Sequence, residues 1–234
     1  MSIIYLTHRK SPAIIWQKWR STVLMLDHFV LGVHDLQSGI TGFSNLAGIT
    51  PLPSGQHPTV GTHNALVSLD KDLYFELLAP DLSLRRREDV GIERLRTLTT
   101  PLLISWMLSC SDFSKLDEVC KKVGLAFSTV GSGSRITLDG NELQYEFSRP
   151  TFESVPDFAS PWVIRWLSCP HPSLTSPLGC KLNSFSIRCP PHAQFREFTK
   201  LLAAPIRVIE SDKWQIEVKL DCPKGVVQWA GPEE

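Results

Sequence analysis

Hydrophobic and polar residues alternate along residues 26–36, which read LDHFVLGVHDL. An alternation with a period of two is typical of a half-buried strand, whose successive side chains point to opposite faces. The face expected to pack under a helix consists of Phe29, Leu31 and Val33. The opposite face consists of Leu26, His28, Val30 and Gly32. The pattern therefore predicts a strand that turns His28 away from the helix.

The residues that follow predict one helix and two more strands. Apolar residues recur at helical spacing at Leu36, Ile40, Phe43 and Leu46. Strand-like segments then lie at 64–69 and 72–80. In the second of these segments, one face consists of Phe75 and Leu77, and the other of Tyr74, Glu76 and Leu78. Glu76 is therefore predicted, like His28, on a strand face turned away from the helix.

The same order of strand, helix and strands recurs from residue 103 and from residue 182, which predicts an α+β protein of repeated βαβββ modules. In the second unit Glu146 is predicted where Glu76 stands, whereas Ser105 takes the place of His28. The predicted organisation is a basic N-terminal extension (1–25), a first module (26–80), a polar linker (81–101), a second module (102–168), a proline-rich loop (169–181) and a third, shortened module (182–230).

The charges of the chain cancel, with 24 Lys and Arg against 24 Asp and Glu. With 42% hydrophobic residues, this balance excludes a composition-driven disordered protein and argues against a nucleic-acid partner. No run approaches the ~18 apolar residues of a membrane span, so no membrane partner is expected. Composition therefore favours a globular protein.

The N-terminal extension and the cysteines bear on localisation. The extension contains Arg9, Lys10, Lys18 and Arg20 and no acidic residue, so it is either a plain extension or an organellar transit peptide. The six cysteines form no C-x-x-C pair, and we interpret them as mostly free thiols in a reducing compartment. The prediction is a cytoplasmic protein, or a mitochondrial or plastid one if the extension is a transit peptide.

Several segments together resemble a known family. LDHFVLGVHDL and LYFELLAP resemble the opening and closing strands of a module of the vicinal oxygen chelate superfamily. More narrowly, the chain resembles the glyoxalase-like domain family in HP (57–58), GTHNALVSL (61–69), PWVIRW (161–166), HPS (171–173) and PLGCKL (177–182). The resemblance covers most of residues 26 to about 190. It implies a curved mixed sheet or incomplete barrel whose concave side holds the site.

The resemblance also implies a divalent metal, such as Zn, Ni, Fe or Mn, on the concave side. His28 and Glu76 match the two ligand positions of a module, and Glu146 is the candidate third ligand. The implied function is that of a metal-dependent lyase, isomerase or dioxygenase acting on a small oxygen-rich substrate. A metal-free small-molecule-binding module of the same fold is the alternative. Three units leave one without an internal partner, so a homodimer is possible.

Other residues are candidates for contact with the substrate. His57, His63 and His171 are predicted to move protons, because each lies in or beside a loop that can reach the concave face. Asn64, Tyr74 and Arg165 are predicted to bind the substrate. If Arg165 points inward, it favours an anionic ligand. The segment GSGSR (131–135) is interpreted as a hairpin turn, because no helix follows it as a phosphate site would require.

Overall fold

The computed structural model describes residues 24–84, 90–167 and 170–234. The basic extension predicted at 1–25, with its possible transit peptide, lies almost wholly outside the described residues. Within them, no helix is both long enough and apolar enough to cross a membrane. The compartment therefore stays a prediction.

The first half of a β-barrel is formed by residues 25–80. Its elements are β1 (Met25–Gly32), α1 (Leu36–Ala47), β2 (Leu52–His57), β3 (Thr62–Asp70) and β4 (Leu73–Pro80). Helix α1 begins at Asp35, whose side chain accepts a hydrogen bond from the backbone N–H of Ser38, and ends at Gly48 in the left-handed conformation. The helix buries Leu36, Ile40, Phe43 and Ala47, whereas Leu46 is exposed. The apolar face was thus predicted correctly except at its last position.

The second half of the barrel repeats this order with two short additional strands. Its elements are β5 (Leu102–Ser109), α3 (Phe113–Lys122), β6 (Ala126–Phe127), β7 (Gly131–Thr137), β8 (Glu142–Ser148), β9 (Pro150–Thr151) and β10 (Trp162–Trp166). Between the halves, the predicted polar linker contains α2 (Val90–Arg96). Ile92 and Leu95 of this helix are buried, so the segment is more than a solvated connector.

The eight longer strands close into a barrel in the order β1-β4-β3-β2-β7-β8-β10-β5. In each half, the first strand is parallel to the last one, β1 to β4 and β5 to β10. The halves meet along an antiparallel β1–β5 pairing and along a β2–β7 pairing of only two residue pairs. The predicted α+β class and curved mixed sheet are confirmed, and the sheet closes completely instead of remaining an incomplete barrel.

Gly55 makes the short β2–β7 pairing possible. A Cβ atom at this position would lie 2.2 Å from the carbonyl oxygen of Ile136 in the neighbouring strand. A backbone atom cannot move aside as a flexible side chain could, so any other residue would push β2 and β7 apart. The closure of the barrel therefore depends on a residue without a side chain.

The third unit has the predicted order of elements but pairs its strands differently. Its elements are β11 (Lys181–Cys189), α4 (Ala193–Lys200), β12 (Ile206–Glu210), β13 (Gln215–Cys222) and β14 (Gly225–Ala230). They form a separate sheet in the order β12-β11-β13-β14. Here the helix connects two neighbouring parallel strands, β11 and β12, whereas in the barrel halves the first strand is parallel to the last. The third unit is therefore not a shortened copy of the other two.

This sheet packs on the outside of the barrel and shares its core. The ring of Phe185 lies 4.9 Å from that of Phe29 and 5.1 Å from that of Trp106. The indole of Trp229 stacks on Phe43 of α1 at 5.2 Å. The third unit thus has an internal partner, which removes the reason for expecting a dimer, although the dimer itself stays a prediction.

Two of the described cysteines are paired and three are free, as the prediction of mostly free thiols allows. Cys180 and Cys222 form a disulfide, because β11 and β13 pair in a register that brings the two residues together at one end of the sheet. A separation of 42 residues hides this proximity in the sequence. Cys110, Cys120 and Cys189 are free thiols.

Candidate functional site

The interior of the barrel contains a cavity of about 240 Å³. Polar residues of the first half line it, namely His28, His57, Thr62, Asn64, Tyr74 and Glu76. The second half contributes mainly aromatic and apolar residues together with Ser105 and Arg135. A larger hollow of about 410 Å³ lies outside the barrel against α1, but none of the predicted site residues lines it. The cavity inside the barrel is therefore the candidate site.

A β-bulge places two adjacent residues of β1 in contact at this site. Leu26 pairs with Leu108 and His28 with Met107, so Asp27 is an extra residue in the ladder. Because of the bulge, Asp27 and His28 are not held on opposite faces, and Asp27 Oδ1 lies 2.6 Å from His28 Nδ1. The alternation read from the sequence does not foresee this contact.

Asp27 is fully buried and has three hydrogen-bond donors. Besides His28, these are the Nε1–H of Trp166 at 3.1 Å and Nε2 of His171 at 3.2 Å, both to Oδ2. Burial alone would raise the pKa of Asp27, but the hydrogen bonds from His171 and His28 lower it. Asp27 is therefore an ionised acceptor, which requires that His28 carries its proton on Nδ1.

With Nδ1 bound to Asp27, the Nε2 of His28 is left with its lone pair. Nε2 lies 3.6 Å from Oε2 of Glu76, too far for a hydrogen bond. Tyr74 stacks on the imidazole at 4.4 Å between ring centroids and fixes its plane. The arrangement of a carboxylate, an oriented histidine and a free ring nitrogen is that of a general base.

Glu76 is a buried carboxylate, 6% exposed, near the ring nitrogen of His28 that Asp27 does not contact. Its Oε1 accepts a hydrogen bond of 2.7 Å from Nδ2 of Asn64. The oxygen of that amide, Asn64 Oδ1, is buried without a hydrogen-bond partner in the described part of the chain. Asn64 therefore holds Glu76 in place and leaves one acceptor free.

The three histidines predicted to move protons lie in different places relative to the barrel cavity. His57 lines the cavity, with Nδ1 3.0 Å from the hydroxyl of Thr62, and burial lowers its pKa to about 4, so the ring is neutral near pH 7. His171 belongs to the Asp27 network behind the cavity. His63 lies on the outer side of β3, 3.9 Å from Asp81. The structure thus brings His57 and His171, but not His63, to the site.

Glu146 and Arg165 also lie outside the cavity. Their side chains form an ion pair, with Arg165 Nε 3.1 Å from Glu146 Oε2. Because β8 and β10 alternate, Tyr145 and Trp166 point inward instead. The predicted third metal ligand and the predicted substrate-binding arginine are therefore not brought to the site.

The sequence comparison of the two halves chose the wrong strand as the counterpart of β4. Val30 pairs with Glu76 across β1 and β4, and its counterpart Met107 pairs with Trp162 across β5 and β10. The strand that corresponds to β4 is therefore β10, and Trp162, not Glu146, stands where Glu76 stands. The short extra strand β9 and the loop that follows it conceal this in the sequence.

Arg135 is a site residue that the sequence analysis missed. The segment GSGSR, expected to be a hairpin turn, forms the first part of strand β7. A Cβ at Gly131 or Gly133 would lie 2.9 or 2.7 Å from the ring of Phe147 or Tyr145, so these glycines leave room for aromatic rings of β8. Gly131, Gly133 and Arg135 share one face of the strand, and this alternation was the available signal in the sequence. The face is turned inward, so Arg135 lines the cavity.

The donor set does not fit a resident divalent metal held by protein ligands. His28 Nε2 and Glu76 Oε2 are close enough to share an ion. Among the residues that the structure describes, however, no group of three or more His, Cys, Asp or Glu side chains is arranged to hold a metal. The serine at the position of a second histidine, Ser105, is a poor ligand for a transition metal, and Arg135 adds a positive charge to the same cavity.

Comparisons with known proteins give the family from one family model and the fold from one solved structure. A family model described as a glyoxalase-like domain matches residues 26–203. A hypothetical protein from Staphylococcus aureus is similar in structure, with a TM-score of 0.61, 11% identity and coverage of 81% of this chain and 87% of that one. Methylmalonyl-CoA epimerase from Mycobacterium tuberculosis has a TM-score of 0.41 and 19% identity, with 64% and 92% covered. No curated protein matches the chain.

Proposed function

The chain belongs to the glyoxalase-like domain family, and we propose that it catalyses proton transfer on a small oxygen-rich molecule held in the barrel cavity. The observation that carries this proposal is the Asp27–His28 pair, in which a 2.6 Å hydrogen bond leaves Nε2 of His28 free beside the cavity. The family alone does not fix the reaction, so we infer the reaction from these side chains.

In the proposed reaction, His28 Nε2 removes a proton from a carbon atom next to a carbonyl group. The electron pair of the broken C–H bond forms a C=C bond, and the carbonyl electrons move to oxygen to give an enolate. Asp27 stabilises the resulting imidazolium, as the carboxylate of a catalytic triad does. The proton then returns from His28 to the same or a neighbouring atom. Both an isomerase reaction and a lyase reaction can begin with this step.

Three further side chains suit this chemistry. The hydroxyl of Ser105 is buried, lines the cavity and has no hydrogen-bond partner in the described residues, so it is available to donate to the enolate oxygen. Glu76 lies 3.6 Å from the imidazole and favours its protonated form during the reaction. His57, neutral near pH 7, is a second group that could exchange a proton with the substrate.

The metal-dependent lyase, isomerase or dioxygenase expected from the resemblance uses the same two residues in another way. His28 and Glu76 would then be metal ligands, and the closeness of Nε2 and Oε2 supports that reading. The incomplete ligand set makes it the second candidate. The metal-free binding module, in which no reaction occurs, is the third.

Proton exchange into deuterium oxide separates these candidates. The protein is treated with a chelator, and proton NMR follows the loss of the signal of the hydrogen next to the carbonyl in a panel of small carbonyl compounds. We expect exchange by the chelated wild type and a loss of at least about 100-fold in His28→Gln, the scale of general base catalysis. His63→Gln, whose ring lies outside the barrel, is the matched control and should exchange at the wild-type rate.

Exchange that appears only after Zn, Ni, Fe or Mn is added, and that His28→Gln and Glu76→Gln both abolish, would replace this proposal by the metal-dependent one. Binding of a panel compound without any exchange would support the binding module.

A further inference from the structure

Arg135 carries a positive charge that the protein itself does not neutralise. The residue is 3% exposed and lines the barrel cavity. Its Nε has no hydrogen-bond partner among the described residues, and the arginines that form ion pairs in the same part of the chain are others. An unpaired buried charge is costly, and proteins retain such a group mainly where a ligand completes it.

We propose that Arg135 binds the carboxylate of the substrate, so that the cavity takes small carboxylic acids. The inference deepens the proposed function, on which it rests for the reaction but not for the binding. Arg135 belongs to β7 in the second half, whereas His28 belongs to β1 in the first. A substrate held at one end by Arg135 would therefore present its other end to the residues of the first half.

A carboxylate fits the charges of the cavity better than a phosphate does. Asp27 accepts hydrogen bonds from its three donors and Glu76 from the amide of Asn64, and in the described residues neither carboxylate forms an ion pair with Arg135. Arg135 is therefore the one cation in the lining that has no assigned anion. A single negative charge balances it, and the planar guanidinium can bind the two oxygens of a carboxylate in parallel. A phosphate dianion would leave an excess negative charge close to Glu76.

The size and lining of the cavity limit the rest of the substrate. A volume of about 240 Å³ equals that of about eight water molecules in the liquid. The rings of Tyr145, Trp162 and Trp166 line the same cavity as Arg135 and His28. A small acid with a flat or apolar body fills such a space, because aromatic surfaces pack well against it.

Binding measurements with matched probes test the inference. Isothermal titration is carried out with benzoate and pyruvate, with their neutral amides, and with inorganic phosphate. We expect at least one of the two acids to bind at micromolar to millimolar concentration and its amide to bind at least about 10-fold more weakly. In Arg135→Gln the acid should lose about 30-fold in affinity, as expected for a hydrogen-bonded charge.

The control variant is Arg165→Gln, because Arg165 is an arginine of the same half that lies outside the cavity and is paired with Glu146. It should bind the acid with wild-type affinity. Arg135→Gln should melt at or above the wild-type temperature without ligand, since it removes an unpaired buried charge, which shows that lost binding is not lost folding. Should Arg135→Gln nevertheless fail to fold, Arg135→Lys, which keeps the charge but not the planar fork, should bind the acid about 10-fold more weakly.

The inference is wrong if neither acid binds the wild type, if the amides or phosphate bind as well as the acids, or if Arg135→Gln keeps full affinity. The proposed function fails separately: acids that bind through Arg135 but do not exchange protons would leave the binding inference intact. Proton exchange that is observed only with neutral compounds would support the proposed function and contradict the binding inference.

Discussion

The first half of the barrel, residues 25–80, and the second half, residues 102–166, pair their strands in the same way but line the cavity with different side chains. The first half contributes a hydrogen-bonded set of titratable groups around His28 and Glu76. The second half has Ser105 and Trp162 at the corresponding positions. Two copies of one backbone plan therefore need not carry two copies of one chemistry.

The difference suggests a division of roles. The first half holds the groups that can accept a proton. The second half holds most of the aromatic rings of the lining, together with Arg135. Variants in the first half should then change the rate of proton transfer, and variants in the second half should change binding. The contacts between the halves should affect both.

The largest effect is expected from Asp27→Asn. An asparagine amide can donate to Nδ1 of His28 and so favour the ring form in which Nε2 carries the proton and cannot act as a base. Proton exchange measured by NMR should fall by at least about 100-fold, whereas benzoate or pyruvate binding should change less than about twofold. Asp35→Asn, at the start of α1, is the control and should leave both unchanged. Loss of binding with retained exchange would reverse the assignment of the halves.

Gly55→Ala tests the contact that joins the halves. The added Cβ would lie 2.2 Å from the backbone oxygen of Ile136, so the β2–β7 pairing must separate. We expect a loss of about 2 kcal/mol in the free energy of unfolding, measured with urea, which is typical of overpacking. Gly42→Ala, at a helix position with no atom within 4 Å of the new Cβ, should be neutral or stabilising. Equal stability of the two variants would show that the closure tolerates a side chain.

Trp166→Phe removes a hydrogen bond between the halves. The indole Nε1–H donates to Asp27 Oδ2 at 3.1 Å, and a phenyl ring cannot replace it. We expect a loss of about 1.5 kcal/mol in the free energy of unfolding, as for a bond to a charged acceptor, together with slower exchange. Trp162→Phe lines the same cavity without a bond to Asp27 and serves as the control. If both variants slow exchange equally, the ring matters and the hydrogen bond does not.

The smallest effect concerns pH. Burial lowers the folded-state pKa of His57 to about 4, below the value of about 6.5 expected in the unfolded chain. Below pH 6.5 the unfolded state binds the proton first, so stability falls as the pH decreases toward 4. Between pH 7 and 6 the wild type should lose about 0.7 kcal/mol more than His57→Gln, measured by urea unfolding at each pH. Parallel curves for the two proteins would show that His57 titrates normally.

Much of the first half could be predicted from the sequence because alternation is regular there. The opposite placement of Phe29 and His28, and of Phe75 and Glu76, is what the structure contains. Family membership could also be predicted, since its motifs are local in the chain. A period of two carries this information as long as no residue is inserted.

The rest depends on features that a period of two does not encode. The bulge at Asp27 adds one residue and places a carboxylate where alternation predicts none. The equivalence of Glu76 with Trp162 appears only from the pairing of distant strands. Arg135 follows glycines and serines whose spacing suggests a turn until the aromatic rings of β8 are in place. The different pairing of the third sheet is likewise a property of long-range contacts.

Closure of the barrel also determines where the protein could associate with itself through its backbone. Each of the eight strands has a neighbour on both sides, so none is an edge strand, although the β2–β7 pairing covers only part of those two strands. Among the residues that the structure describes, and apart from the short β6–β9 pair, the edge strands are β12 and β14 of the outer sheet. β12 carries the charges of Arg207 and Glu210, whereas β14 has no charged residue and exposes Val226. Edge-to-edge aggregation would therefore begin at β14, on the face of the protein that takes no part in the cavity.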